Sequence, residues 1–306
     1  MKTINQTALA VLVTTAAIVA CGGGKMKQGG PSTDTQAQGR YASVNGLNLY
    51  YEIHGSGEPL ILLHGGVGAS EMFGPILPPL AERRRVIAVH LQGHGRTADI
   101  DRPLRFELMA EDIAALLKHL GIEKADLVGY SLGGGVALRT AIQHPEVVRR
   151  LVLISTPFKR DGFYPEVLAA MQLGPAAAEG MKQSPLSQLY PRVDWRVLFT
   201  KLGDVLRRDY DWSRDVAAMK APTMLVFADA DAIRPRTSWN STDCSAAGRR
   251  TRAWTVPEGL RHSSPFCPAA RTTTSFPPPC WRRSLWHSST RPRGRPNDVR
   301  RTAAAR

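Results

Sequence analysis

The spacing of apolar and polar residues changes several times along the chain, and each change marks a boundary. Residues 8–20 form one apolar-to-small run. Residues 22–40 are mostly Gly, Ser, Thr, Gln and Pro with no apolar period, a composition that buries no core and reads as a flexible tether. From Tyr41 the pattern becomes that of a folded domain. Residues 41–44 and 47–53 are β-rich and flank Asn45-Gly46, a strong two-residue hairpin signal. The short apolar runs 60–63 and 86–89 suit buried parallel strands. Residues 69–83 between them read as a helix whose bounds Pro75, Pro78 and Pro79 blur. Residues 106–120 place Leu108, Ile113, Leu116, Leu117 and Leu120 at helical spacing and stop at Gly121.

Residues 125–128, 132–144 and 151–154 then read as strand, helix, strand. Alternating strands and helices predict an α/β protein with a mostly parallel sheet flanked by helices. Residues 157–220 break the alternation with Pro-interrupted helical stretches carrying Phe158, Tyr164, Met171, Tyr190, Trp195, Tyr210 and Trp212. Residues 223–227 return as a strand. The insertion between two core strands is expected to be a helical lid, its aromatics serving as packing more often than as substrate contacts. The core is thus assigned to residues 41–156 and 221–235.

Composition changes this picture at the two ends. The 306 residues carry a formal net charge of +14, which would suggest a nucleic-acid partner if it were spread over the fold. It is not. Residues 236–306 hold 14 Arg, no Lys and three acidic residues, while residues 1–235 carry 26 basic against 23 acidic side chains. The body is nearly neutral, and no nucleic acid is expected as partner. At the other end, Met1-Lys2, the apolar run and Ile18-Val19-Ala20-Cys21-Gly22 fit a signal peptide over residues 1–20. Small residues before Cys21 resemble a bacterial lipobox, which implies acylation of Cys21, export and anchoring to a membrane. An ordinary export signal with an incidental Cys is the alternative.

The candidate chemistry centres on Gly129-Tyr130-Ser131-Leu132-Gly133, which follows a predicted strand and opens a predicted helix. A nucleophile on such a turn needs small residues two positions either side, and the helix N-terminus then faces the developing oxyanion. Upstream, His64-Gly65-Gly66 ends a strand. The N–H groups of Gly66 and Leu132 are the candidate oxyanion donors. His64 precedes that loop and reads as a turn-shaping residue rather than a base.

With these residues in view, positions 41–235 resemble the α/β-hydrolase family, including the segment Leu91-Gln92-Gly93-His94-Gly95-Arg96-Thr97. The family usually has Asp where His90 stands. The resemblance implies a Ser-His-acid mechanism on a small ester-like or related acyl substrate, with no metal or organic cofactor. It implies Ser131 as nucleophile and Asp231 as acid, four residues before Pro235, with Asp229 the alternative. The acid should be ionised and held by backbone donors.

A histidine should follow the acid. His262 and His287 are present, but from residue 236 onward there is no Ile or Met, and Leu, Val and Phe total six. So aliphatic-poor a segment is expected to be irregular or disordered and to lack the final strand and helix. A shifted reading frame near Arg236 would account for it: read one base over, residues 238–248 become an amphipathic helix, and residues 266–275 a strand end with a histidine. On that reading His262 is incidental. A non-catalytic, surface-bound relic of the family is the competing reading. Acyl size and oligomeric state are not encoded in any of these signals.

Overall fold

The computed structural model describes residues 38–171, 174–228, 231–234 and 251–256, all within one unit, Met1–Pro268. In chain order come β1 (Gln38–Val44), β2 (Leu47–His54), β3 (Glu58–Leu63), α1 (Leu77–Ala81), β4 (Arg84–Val89), α2 (Phe106–His119), β5 (Ala125–Tyr130), α3 (Leu132–Gln143) and β6 (Val148–Ile154). Then follow α4 (Pro165–Ala170), α5 (Pro175–Glu179), α6 (Pro185–Leu189), α7 (Trp195–Arg207) and α8 (Ser213–Ala218), and after them β7 (Thr223–Ala228) and β8 (Thr251–Val256). The strands form one sheet in the order β1-β2-β4-β3-β5-β6-β7-β8. The pairs β1–β2 and β2–β4 are antiparallel and all the others parallel.

Local sequence explains most of these elements. Asn45 and Gly46 both take positive φ, 48° and 81°, and Val44 pairs with Leu47 across the turn, the geometry of a tight primed hairpin. The run Leu60–Leu63 is fully buried because β3 is covered on both faces. Ile61 and Leu63 enter one apolar cluster, Leu60 and Leu62 another, as the two-residue period of a strand requires. Helix α2 buries Met109, Ile113, Leu116 and Leu117 and ends before Gly121, whose φ of +64° turns the chain. The prolines divide the stretch read as one helix over 69–83 into a 3-10 turn, Ser70–Phe73, and the short α1, with prolines in its first turn.

The insertion between β6 and β7 is helical, and most of its aromatics pack inward, while Tyr164 is exposed. Phe158, Tyr190 and Trp212 are buried, and Tyr210 and Trp212 stack with Phe106 of α2. Helix α7 starts where Asp194 Oδ1 accepts from Val197 N–H at 3.0 Å, an N-cap. It buries Leu198, Phe199, Leu202 and Val205 against the core.

Two expectations are corrected. The sheet begins at Gln38, inside the stretch read as tether. Residues 236–306 do supply a final strand: β8 runs parallel to β7, from Thr223 opposite Thr251 to Ala228 opposite Val256. A ladder is made by backbone groups, and Thr-Arg-Ala-Trp-Thr-Val mixes β-branched and aromatic residues that suit it. Composition averaged over the tail hid this six-residue segment. The signal segment, Cys21, Asp229, His262, His287 and the stretches 238–248 and 266–275 lie outside the described residues.

Candidate active site

Ser131 lies between the last residue of β5 and the first of α3, with φ +51° and ψ −112°, a backbone region that non-glycine residues occupy only when their surroundings enforce it. The enforcement is visible. Its N–H donates to Ile154 O at 2.9 Å, and its carbonyl accepts from Gly135 N–H at 3.0 Å. A Cβ on Gly129 would lie 2.3 Å from Gly133 O, and one on Gly133 would lie 2.3 Å from Leu63 O. The strand and helix therefore meet at backbone-to-backbone distance, which only glycine permits.

The loop after β3 packs on this turn. A Cβ on Gly65 would lie 2.8 Å from the Tyr130 ring and 3.6 Å from Ser131 Cβ. Gly65 N–H donates to Met72 Sδ at 3.3 Å, and Gly65 O accepts from Gly68 N–H at 3.1 Å. Among the described residues, the N–H groups of Gly66 and Leu132 donate to no protein acceptor. Leu202 of α7 reaches over this loop, 3.6 Å from where a Gly66 Cβ would sit.

His64 is fully buried, and its hydrogen bonds define its state. Nε2 accepts from Leu91 N–H at 3.0 Å, so the proton sits on Nδ1, 2.8 Å from Gly65 O. Burial holds its pKa well below that of a free imidazole. It is a neutral brace joining the ends of β3 and β4. His90, where the family usually has Asp, closes the following turn: Nδ1 accepts from Arg96 N–H at 2.9 Å, and Nε2 lies 2.8 Å from Ser70 Oγ.

Asp231 follows β7. Its Oδ2 accepts from Ser155 Oγ at 2.6 Å and Ala228 N–H at 3.2 Å, and its Oδ1 from Ile233 N–H at 3.3 Å. Burial raises its pKa, and these donors, Ser155 foremost, oppose the rise without cancelling it. Tyr130, next to Ser131, is pushed upward first by burial and then by the Asp231 charge. The residues singled out in the sequence, Gly66, Ser131, Leu132 and Asp231, thus gather at the C-terminal ends of the parallel strands β3, β5 and β7. Val256 closes β8 level with Ala228, so the chain leaves β8 at this same edge. No histidine among the described residues bonds to Asp231. Among those residues no group of three or more His, Cys, Asp or Glu is arranged to hold a metal ion.

Ser155 and Thr156 were not singled out in the sequence. Thr156 Oγ1 lies 3.2 Å from Ser131 O and 3.0 Å from Ile154 O. Ser and Thr after a strand carry no distinctive spacing, so no sequence signal marked them.

Residues 58–185 match the family described as alpha/beta hydrolase fold. A protein of Azorhizobium caulinodans named as carbamate hydrolase RutD is 29% identical over 216 residues, covering 64% of this chain and 82% of its own length. The 2-hydroxymuconate semialdehyde hydrolase of a Pseudomonas species is 40% identical over 122 residues, 39% of this chain and 43% of that protein, so the chain spans less than half of this second relative. A thermophilic esterase from Thermogutta terrifontis superposes with a TM-score of 0.58 at 23% identity, over 72% of this chain and 90% of its own. The match over residues 58–185, the sheet order and this superposition together show that the chain adopts the alpha/beta hydrolase fold.

Proposed function

We propose that the protein is a serine hydrolase of a small ester-like or related acyl substrate, and that Ser131 is its nucleophile. The observation that carries this reading is the strained, glycine-walled turn holding Ser131 at the end of β5, with the buried carboxylate of Asp231 after β7 and β6 alone between the two strands. In this mechanism Ser131 Oγ attacks the acyl carbon as its proton passes to a histidine. The N–H groups of Gly66 and Leu132 hold the oxyanion, and Asp231 stabilises the imidazolium. The histidine returns the proton to the leaving group, and water attacking the acyl-enzyme releases the acid. The helices α4–α8 serve as the lid over the site.

The histidine must come from the chain after β8. His262 stands six residues past Val256, the end of that strand, and is the candidate that the position of β8 favours. The competing reading, a non-catalytic relic, rested on a missing final strand, helix and histidine, and β8 answers the first of these. Cys21 is proposed as a lipid anchor on the sequence alone. Incorporation of labelled palmitate, lost in Cys21→Ser, tests it, and equal labelling of both forms would dismiss it.

Turnover of p-nitrophenyl acetate and labelling by a fluorophosphonate, both lost in Ser131→Ala, are the expected results for the full chain. A folded parent protein that takes no label would overturn the serine-hydrolase reading.

A further inference from the structure

Ser131 and Asp231 are joined by three consecutive residues of another strand end. Ile154 O accepts the Ser131 N–H at 2.9 Å. Ser155 donates its N–H to Val226 O at 2.9 Å and its hydroxyl to Asp231 Oδ2 at 2.6 Å. Thr156 Oγ1 lies within hydrogen-bond distance of Ser131 O. The nucleophile and the carboxylate thus share residues 154–156 as a common support.

Ser155 has φ +51°, where glycine would sit without strain. A residue chosen for the turn alone would be glycine. Serine accepts the strain and in exchange puts a hydroxyl on the carboxylate, as the shortest of its contacts with Ser155, Ala228 and Ile233. That contact occupies Oδ2 together with Ala228 N–H. Oδ1 accepts from Ile233 N–H at 3.3 Å, and the Ala232 N–H also supports the carboxylate; so long a contact leaves Oδ1 able to accept an imidazole N–H.

We infer that Ser155 is a positioning residue for the reaction: its hydroxyl fixes the rotation of the Asp231 carboxylate, leaving Oδ1 for the histidine, while its backbone ties that carboxylate to the strand end that holds Ser131. The inference deepens the serine-hydrolase reading and rests on it. Ser155 touches neither substrate nor the reacting atoms and acts through Asp231. Tyr130 is the titratable side chain that feels the Asp231 charge from the β5 side, so it is kept unchanged in the test.

The test compares the full-length parent with Ser155→Gly and Ser155→Ala. Glycine removes the hydroxyl and relieves the strain, so its melting temperature stays level or rises. Its kcat on p-nitrophenyl acetate falls about tenfold with KM unchanged, the scale expected for one charge-assisted hydrogen bond. The acid limb of its kcat–pH profile moves to higher pH, because the lost donor favoured the ionised carboxyl. Carboxyl-carbon NMR of aspartate-labelled protein, assigned with Asp231→Asn, reads the same titration without relying on turnover. A Ser155→Gly protein with unchanged kcat, or one whose Asp231 titrates as in the parent, overturns the inference. Absence of Ser131-dependent labelling in the parent is a separate result that overturns the serine-hydrolase reading, and the carboxyl titration tells the two failures apart.

Discussion

Lys201 of α7 places its Nζ 2.6 Å from Asp99 Oδ2, and the same ammonium donates to Ile100 O and Arg102 O, each at 2.8 Å. The three contacts use all three ammonium donors. Asp99 is held in turn by Gln92 Nε2 at 2.8 Å. Helix α7, which brings Leu202 over the Gly66 loop, is therefore clipped to the segment following β4.

Replacing Lys201 by Met keeps the aliphatic stem and removes the clip. Stability should fall by about 2 kcal/mol, since Asp99 is left partly buried without its cation, and the melting temperature by roughly 5 °C. Thermal unfolding of the two proteins checks this, and coincident curves would show that the clip adds nothing.

Ser131 carries strain that glycine would not. Ser131→Gly and Ser131→Ala are both expected to be inactive, with the glycine form more stable by about 1 kcal/mol. Urea midpoints of the two variants measure the difference. An alanine form as stable as the glycine form would mean that the turn stores no strain.

Gly133 has no room for a methyl group, because the atom in the way is a backbone carbonyl, Leu63 O. Gly133→Ala should destabilise by about 3 kcal/mol or more and separate α3 from the end of β3. A variant that melts with the parent would contradict the close approach.

Burial lowers the pKa of His64, and takes His90 and His94 to about 4. All three lie below the free imidazole, so as pH falls the unfolded chain binds protons first. Their contribution is complete above about pH 6.5 and is lost progressively toward pH 4. At pH 5 the loss is about 2 kcal/mol for each of His90 and His94, and His64 adds to it in the same direction. Urea midpoints at pH 7 and pH 5 should differ accordingly, and equal midpoints would rule out three buried neutral imidazoles.

Turnover should disappear in His262→Asn and persist in His287→Asn, since only His262 follows closely on β8. The opposite pattern, or activity retained in both, would remove His262 as the base.

The strand–helix alternation, the Asn45-Gly46 hairpin and the glycines around Ser131 were legible in the sequence because each is a local matter. The period of apolar residues, the φ freedom of glycine and the absence of a Cβ act within a few positions. Asp231 was singled out as candidate acid only through a family spacing. β8 was overlooked because its six residues sit in a segment whose average composition is poor in aliphatics, and pairing with β7 depends on backbone groups rather than on that average. His90 departs from the family, yet its ring nitrogens close the turn through Arg96 N–H and Ser70.

The sequence by itself determined the fold class and the strand–turn–helix around Ser131. Only the tertiary structure decided which strand ends lie side by side: Ser155 meets Asp231 across 76 positions, and Lys201 meets Asp99 across 102. Such contacts are set by strand order and register, which arise from the burial of the whole sheet, and no local pattern around either partner encodes them.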